Sequence, residues 1–372
     1  MTAPLAGVKV LDLTRVLSGP YATMTLADLG ADVVKIEPPT GDDTRAFGPP
    51  YSGGVSTYFM SVNRGKRSMV LDLKDPAQRE TLLKLAQVAD VVIENFRPGV
   101  MERLGLGYER LKAVNPRLVY CAISGFGQAS DEPGYDLVIQ GWSGIPSLTG
   151  PGDAPWKCGA SIADLVAGLN AGQGVLAALF RRERTGEGAF VDVSMLDGQL
   201  SLLTYHAGAY FNAGGRPKAM GNDHPSIHPF RTYRAQDGFF NLAVGNDALF
   251  RALCRVLKVP WDQDERFATN AARVSHRRQL DALLEPRMAQ GTVSHWLSAF
   301  EAASVPCGPM ADIAQALGRA APIVTGHPSG EGELKSLPPG FSFDGQRLGA
   351  TRPPPGLGEH AHEIVTDWLK HA

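Results

Sequence analysis

Short apolar runs alternate with helix-period segments along the first 125 residues. Residues 8–13 (VKVLDL), 32–37 (DVVKIE), 90–96 (DVVIENF) and 118–124 (LVYCAIS) are rich in β-branched residues and read as buried strands. Residues 68–73 alternate inward and outward positions and predict another strand. Residues 20–29 predict a helix stopped by Gly30. Asp75-Pro76 opens a second helix, with Asp75 as N-cap and Pro76 at the first helical position, where its missing N–H costs nothing. Leu82, Leu83, Leu85 and Ala86 give that helix its apolar face. Strands alternating with helices predict βαβ units. The expected fold class is α/β, with a Rossmann-like large domain and a mostly parallel sheet.

Residues 134–152 turn Gly-, Pro- and Ser-rich and read as a loop region near a site. The longest helical pattern follows over residues 162–184, with Ile162, Leu165, Val166, Leu169, Leu176, Leu179 and Phe180 at helical spacing. Gly168, Gly172 and Gly174 would each cost an isolated helix about 1 kcal/mol relative to Ala, so another backbone or a ligand is expected to approach closely there. The helix ends on Arg181, Arg182 and Arg184 before Gly186, as the macrodipole favours. Residues 191–203 restart with a strand and a helix, and 214–228 mark a boundary. Beyond it a hairpin over 230–245, turning at Gln236-Asp237-Gly238, and amphipathic helices to about Phe300 predict a smaller α+β unit. Pro-rich stretches at 338–339 and 353–355 lead to a final helix over 359–369, so the tail is expected to wrap over the surface or a neighbouring subunit. The expected domains are 1–205 for the first part of the large domain, 222–315 for the small one and 325–372 for the return to the large domain.

The chain has 372 residues, enough for two domains. Its 36 Lys and Arg against 38 Asp and Glu leave a formal charge of −2, which argues against nucleic acid or an anionic membrane as the main partner. No stretch reaches the roughly 18 uninterrupted apolar residues of a membrane span, and the first residues lack a secretory pattern. Cys121, Cys158, Cys254 and Cys307 are scattered, as in free thiols of a reducing compartment, so the expected location is cytoplasmic.

Residues 14–20 carry one glycine where a dinucleotide fingerprint needs three, and Gly125-Phe126-Gly127 lacks the third. A nicotinamide oxidoreductase stays only as an alternative. His224 and His228 are spaced like a helical metal pair, but Pro225 and Pro229 break such a helix and no third ligand is near, so a turn or hinge is expected and no metal.

Ser161 stands where the long helix should be capped, and Asp164 follows three residues later. One reading is a capping interaction. The other is catalytic: a carboxylate kept ionised at a helix N-terminus can attack an acyl carbon, with nearby N–H groups stabilising the oxyanion. The two are compatible. A thioester suits such an attack because thiolate is a good leaving group.

Eight stretches together resemble the class III CoA-transferase family, which includes formyl-CoA transferase, carnitine CoA-transferase and 2-methylacyl-CoA racemases. They are VLDLTRVLSGP, ADVVKIE, NRGKRSMVLDLK, NFRPGVMERLGLGYE, GYDLVIQ, GASIADLVAGLNAGQGVLAAL, GNDHPSIHPF and RPPPGLGEH, in order from Gly7 to about His362. The resemblance implies Asp164 as the catalytic aspartate, acylated in turn by the donor acyl group and by coenzyme A. It implies a CoA groove in which Asn95 and Phe96 border the adenine, Arg103 reaches a phosphate, Leu71 and Lys74 line the wall, and Val16 and Tyr135 also make contact. Acyl-CoA and a small carboxylic or dicarboxylic acid, with succinyl-CoA as a possible donor, are the implied substrates, with no metal or redox cofactor. An interlocked homodimer is the implied assembly.

Leu17 stands where some transferases of the family carry glutamine, and Pro38 where many carry a CoA-contacting arginine; Arg15, Arg45 or Arg97 are candidates to compensate. Family racemases resemble Gly-His-Asp where this chain has Gly134-Tyr135-Asp136, and a tyrosine with an unperturbed pKa of about 10 is a poor α-proton base. The racemase, and a non-catalytic CoA-binding relative, remain alternatives. Arg15, Arg45 and Arg231 are candidates for a second substrate carboxylate. Val244-Gly245-Asn246-Asp247 reads either as a mobile lid or as an ordinary hairpin-to-helix cap.

Overall fold

The computed structural model describes residues 3–152 and 154–370; positions 1–2 and 371–372 of the expected domain spans lie outside the described residues. The chain divides into two compact units, one of Met1–Ile145, Lys157–Gly214 and Ala321–Ala372, the other of Pro146–Trp156 and Gly215–Ala320.

The first unit is built on six parallel strands: β1 (Lys9–Asp12), β2 (Asp32–Glu37), β3 (Lys66–Val70), β4 (Val91–Glu94), β5 (Val119–Ser124) and β6 (Ala189–Ser194). Their order across the sheet is β3-β2-β1-β4-β5-β6, the doubly wound order that reverses between β1 and β4. Every residue of β4 and β5 is buried, as expected where helices cover both faces. Successive residues point to opposite faces: Val10, Val33, Ile93 and Cys121 enter one core, Leu11, Val34, Val92 and Tyr120 the other. The third strand begins two residues earlier than the alternation suggested and stops at Val70.

Helices α1 (Ser18–Asp28) and α4 (Ile162–Thr185) cover the first face, and α2 (Pro76–Val88) the second. Between them in sequence lies α3 (Asp136–Ser143). Asp75 caps α2 as expected, its side chain accepting the Ala77 N–H at 2.9 Å. After β6 come α5 (Met195–Ser201) and α6 (Thr204–Ala213).

α4 turns a mostly small-residue face inward. Its buried side is Ala163, Ala167, Gly168, Ala171, Gly172, Val175 and Ala178, joined by Leu179, whereas Leu169, Leu176 and Phe180 of the large residues are exposed. Small side chains win the inner face because they let α1 come close: a Cβ built on Gly168 would lie 2.6 Å from the Ser18 carbonyl oxygen, and one on Gly174 2.7 Å from Val191 Cγ1. Gly172 meets nothing within 4 Å and Gly174 meets a side chain, so the close backbone approach expected of all three glycines holds for Gly168 alone. By length and composition alone α4 could cross a bilayer; here its small-residue face packs into the first core.

The second unit folds a three-stranded antiparallel sheet from β7 (Phe230–Arg234), β8 (Phe239–Ala243) and β9 (Cys307–Pro309) against α7 (Asp247–Leu257), α8 (Arg277–Met288) and α9 (Val293–Ala302). The β7–β8 hairpin turns where the sequence places it, with Ala235 N–H donating to Gly238. Asn246 is the N-cap of α7 and accepts the Leu249 N–H at 2.9 Å, the ordinary cap of the two readings. No helix joins His224 to His228, and His228 is buried against Asp281.

The tail returns to the first unit and ends in α10 (Ala361–Leu369). Its Trp368 is buried and donates to Asp32 at 2.7 Å, while Arg67 binds Asp32 and Asp367.

Gly168→Ala should destabilise the protein by about 1–3 kcal/mol through overpacking, less the ~1 kcal/mol that alanine adds to helix propensity. Gly172→Ala, with open space at its Cβ, should be neutral or stabilising. Denaturant unfolding of the two variants checks the contrast.

Candidate active site

The strand order reverses between β1 and β4, which leaves a crevice beyond their carboxyl ends. A cleft of about 160 Å³ opens at that point. The loop after β1 supplies Arg15 and Val16, the loop after β4 supplies Asn95, Phe96 and Arg97, and the end of β5 supplies Ser124 and Gly125. Ser18 on α1, Tyr135 and Asp164 on α4 complete its working wall.

Hydrogen bonds and buried charge hold these loops. Asn95 Oδ1 accepts the Arg15 N–H at 2.8 Å and its Nδ2 donates to the Arg15 carbonyl at 2.7 Å. Val16, a β-branched residue, sits at φ 68°, where L-residues other than Asn and Asp are rarely found. Beneath it Lys35 Nζ donates to the Thr14 carbonyl at 2.8 Å and pairs with Asp42 at 2.8 Å, and Asp42 accepts the Val16 N–H at 3.4 Å. Lys66 pairs with Asp12 at 2.9 Å in the same buried layer. Burial pushes the Lys66 ammonium down to about 8, against the opposing charge of Asp12. Glu94 accepts the Phe96 N–H at 2.7 Å, and burial pushes its carboxyl up to about 8.

Asp164 lies in the first turn of α4, half-buried at the cleft. Ser161 makes no side-chain cap, so the Ser161–Asp164 capping reading is overturned. The Ala163 N–H donates instead to Asp136 Oδ1 on α3, at 2.9 Å. Nor is Asp164 held as a low-pKa carboxylate: burial first and the Asp136 charge second push it up to about 7, with a hydrogen bond from Ser18 acting in the other direction. The helix terminus is outweighed by a desolvated site with a like charge beside it. No side chain caps α1, whose first turn meets the cleft at Ser18.

Of the residues expected in the CoA site, Val16, Asn95, Phe96 and Tyr135 line the cleft together with Asp164. Leu71 does not: it is 5% exposed in the second core cluster and offers no face of its own to a purine. Lys74 and Arg103 are exposed and lie away from the cleft wall. Asn95 directs both amide atoms to the Arg15 backbone and thereby clasps the two loops.

Among the candidate arginines, Arg15 and Arg97 line the cleft. Arg45 is bidentate to Glu37, at 2.7 Å from each of two nitrogens, and Arg231 is ringed by Asp223, Asp281 and Glu285. No histidine lines the cleft among the described residues, so the imidazole of a racemase acid/base pair is missing there.

Ser124 and Glu94 escaped the sequence reading, and Asp136 entered it only through the Gly134-Tyr135-Asp136 motif, without its capping role. Ser124 and Glu94 stand at the carboxyl ends of β5 and β4, the one signal that could have marked them. The cap from Asp136 joins residues 27 apart and has no local signature.

A sequence profile described as CoA-transferase family III matches residues 5–361. The chain is 38% identical to the succinyl-CoA:glutarate CoA-transferase of Mus musculus, over 99% of this chain and 87% of that protein. It is 47% identical to the acetyl-CoA:oxalate CoA-transferase of Acetobacter aceti, over 84% of this chain and 82% of that protein. Among solved structures, a CaiB/BaiF family protein from Brucella suis matches with a TM-score of 0.85 at 40% identity, covering 99% of this chain and 100% of that one.

A carboxyl raised to about 7 on folding binds its proton more tightly in the native state. The contribution of Asp164 to stability therefore falls as pH rises from about 4, the unfolded value, and levels off above 7. Asp164→Asn removes that loss, so its melting temperature should exceed wild type at pH 8 and converge with it below pH 4, as calorimetry across that range would read.

Proposed function

Since the chain belongs to CoA-transferase family III, we propose that it moves coenzyme A from an acyl-CoA, succinyl-CoA foremost, to a small dicarboxylic acid, with Asp164 as the residue that carries it. The observation that supports this reading is the placement of Asp164 at the cleft beside the uncapped first turn of α1. The Asp164 carboxylate attacks the thioester carbonyl, forming a mixed anhydride and releasing CoA thiolate. The thiolate attacks the aspartyl carbonyl, giving an aspartyl-CoA thioester and the free donor acid. The acceptor carboxylate then attacks that thioester, forming a second anhydride and again releasing thiolate. Attack of the thiolate on the acceptor carbonyl yields the new acyl-CoA and restores Asp164. Each step exchanges bonds of similar energy, and N–H donors at the start of α1 suit the oxyanions.

At about 160 Å³ the cleft is smaller than pockets that enclose drug-sized ligands, roughly 300–1,000 Å³. It suits the acyl and thiol end, with the nucleotide outside. Phe96 then offers the adenine a ring, and exposed Lys74 and Arg103 offer the phosphates charge. Arg15, whose side chain is 42% exposed and paired with Asp43 at 3.4 Å, is free to turn to the second carboxylate of the acceptor.

The assembly we propose is an interlocked homodimer. α6 has no buried residue yet carries Tyr205, Tyr210 and Phe211, and α4 exposes Leu169, Leu176 and Phe180. Apolar surface of that extent calls for a partner, and a second copy is the simplest one.

Incubation with a panel of acyl-CoAs, quenching with borohydride or hydroxylamine and peptide mapping should place the modification on Asp164; a label elsewhere refutes the mechanism. Asp164→Asn should lose transfer on the order of 10⁴-fold. Arg15→Ala should raise KM for dicarboxylic acceptors roughly 10- to 100-fold and spare monocarboxylic ones. In sedimentation equilibrium wild type should be dimeric and Phe211→Asp shifted towards monomer; a monomeric wild type would exclude the assembly.

A further inference from the structure

Asp136 and Gln140 take no part in the four transfers above, yet they grip the segment that presents Asp164. Asp136 Oδ1 accepts the Ala163 N–H at 2.9 Å, the cap that Ser161 does not provide. Its Oδ2 accepts Gln140 Nε2 at 2.8 Å, and the Gln140 Oε1 accepts the Cys158 N–H at 2.9 Å. Gln140 is wholly buried. Two residues one turn apart on α3 thus pin both ends of residues 158–163.

A neutral acceptor would serve that cap as well, for asparagine and serine are among the best N-caps. The chain instead places a second carboxylate on the N–H of Ala163, one residue from Asp164, where its charge opposes that of Asp164. The other charged or titratable groups around Asp164 are the Tyr58 hydroxyl, which feels both carboxylates, and Arg15, Asp43, Arg97, Glu132 and Tyr135 on the cleft wall. Like charges so placed repel each other in the resting enzyme. The repulsion ends when Asp164 becomes an anhydride or a thioester, because both are uncharged.

We propose that Asp136, latched by Gln140, is a positioning residue whose negative charge destabilises the resting Asp164 carboxylate relative to its acylated forms. The proposal rests on Asp164 as the nucleophile. It predicts that acylation is favoured by a charge that never touches the substrate carbon.

The test is Asp136→Asn, which keeps an oxygen acceptor for Ala163 and removes the charge. In protein labelled with ¹³Cγ-aspartate, with the Asp164 resonance assigned by its loss in Asp164→Asn, the titration midpoint of the substrate-free enzyme should fall from about 7 by on the order of one pH unit. It should stay above the usual carboxylate range, because burial remains. At saturating acyl-CoA the fraction of enzyme trapped as the covalent adduct should fall several-fold. An unchanged midpoint, or an unchanged trapped fraction, overturns the proposal. Gln140→Ala keeps the charge and frees the segment, so it should slow labelling with the midpoint still high; labelling at the wild-type rate overturns the latch. If Asp136→Asn does not fold, Asp136→Ser carries the same readouts. Should Asp164 not be the nucleophile, peptide mapping finds the label elsewhere while the substrate-free titration still shifts, so the two failures are distinguishable.

Discussion

Two helix backbones touch where α4 crosses the start of α1, and Gly168 is the residue that permits it. Any side chain there would meet the Ser18 carbonyl oxygen at 2.6 Å. Asp164 is one turn before Gly168 on the same face of α4, so the contact that seats Gly168 on Ser18 also sets Asp164 beside the first turn of α1. The alanines at 163, 167 and 171 continue the narrow face along the helix. An inner face of leucines would push the helices apart and draw the carboxylate from the cleft. Leu169, Leu176 and Phe180 are displaced to the outer face, so one packing choice accounts both for the site and for the apolar surface that α4 leaves uncovered.

The opposite wall is held by charge. Asp12 at the end of β1, Lys35 on β2, Asp42 beyond β2 and Lys66 at the start of β3 form a buried layer under a loop that contains Val16 in a left-handed conformation. Buried ion pairs are a poor source of net stability, but removing one partner typically costs about 3–5 kcal/mol. The layer therefore acts as a fixed frame. Lys35 takes the Thr14 carbonyl, Asp42 takes the Val16 N–H, and Asn95 ties Arg15 to the neighbouring strand end. Backbone strain of this kind persists only where its surroundings over-determine it, and here three side chains from three segments do so.

Between these walls the electrostatics run against the simplest use of a helix N-terminus. Burial and Asp136 hold Asp164 near neutrality, so it is a more basic carboxylate than an exposed one. In the transfer proposed above, a more basic carboxylate would attack the acyl carbon better once ionised, at the cost of a smaller ionised fraction at acid pH.

Local pattern was enough for the parallel strands, for Asp75 as the α2 cap, for the β7–β8 turn and for the stretch containing Asp164, because each depends on residues close together in the chain. Strand burial shows as unbroken β-branched runs and a cap as Asp-Pro, whatever lies elsewhere. That small residues fill most of the inner face of α4 was not legible beforehand, because hydrophobicity alone ranks leucine above alanine, and only the distance to α1 decides which fits. Leu71, placed in the groove by the family resemblance, lies in the core, where its side chain packs among residues from other strands and helices. The cap on Ala163 from Asp136, the clasp of Asn95 on Arg15 and the pairing of Arg45 with Glu37 join residues distant in sequence or on different loops. The sequence by itself determined the order of strands and helices and the chemistry available at their ends. Which carboxylates, loops and backbones meet, and hence the acidity of Asp164, was decided only by tertiary packing, because burial and Coulomb forces act through space and not along the chain.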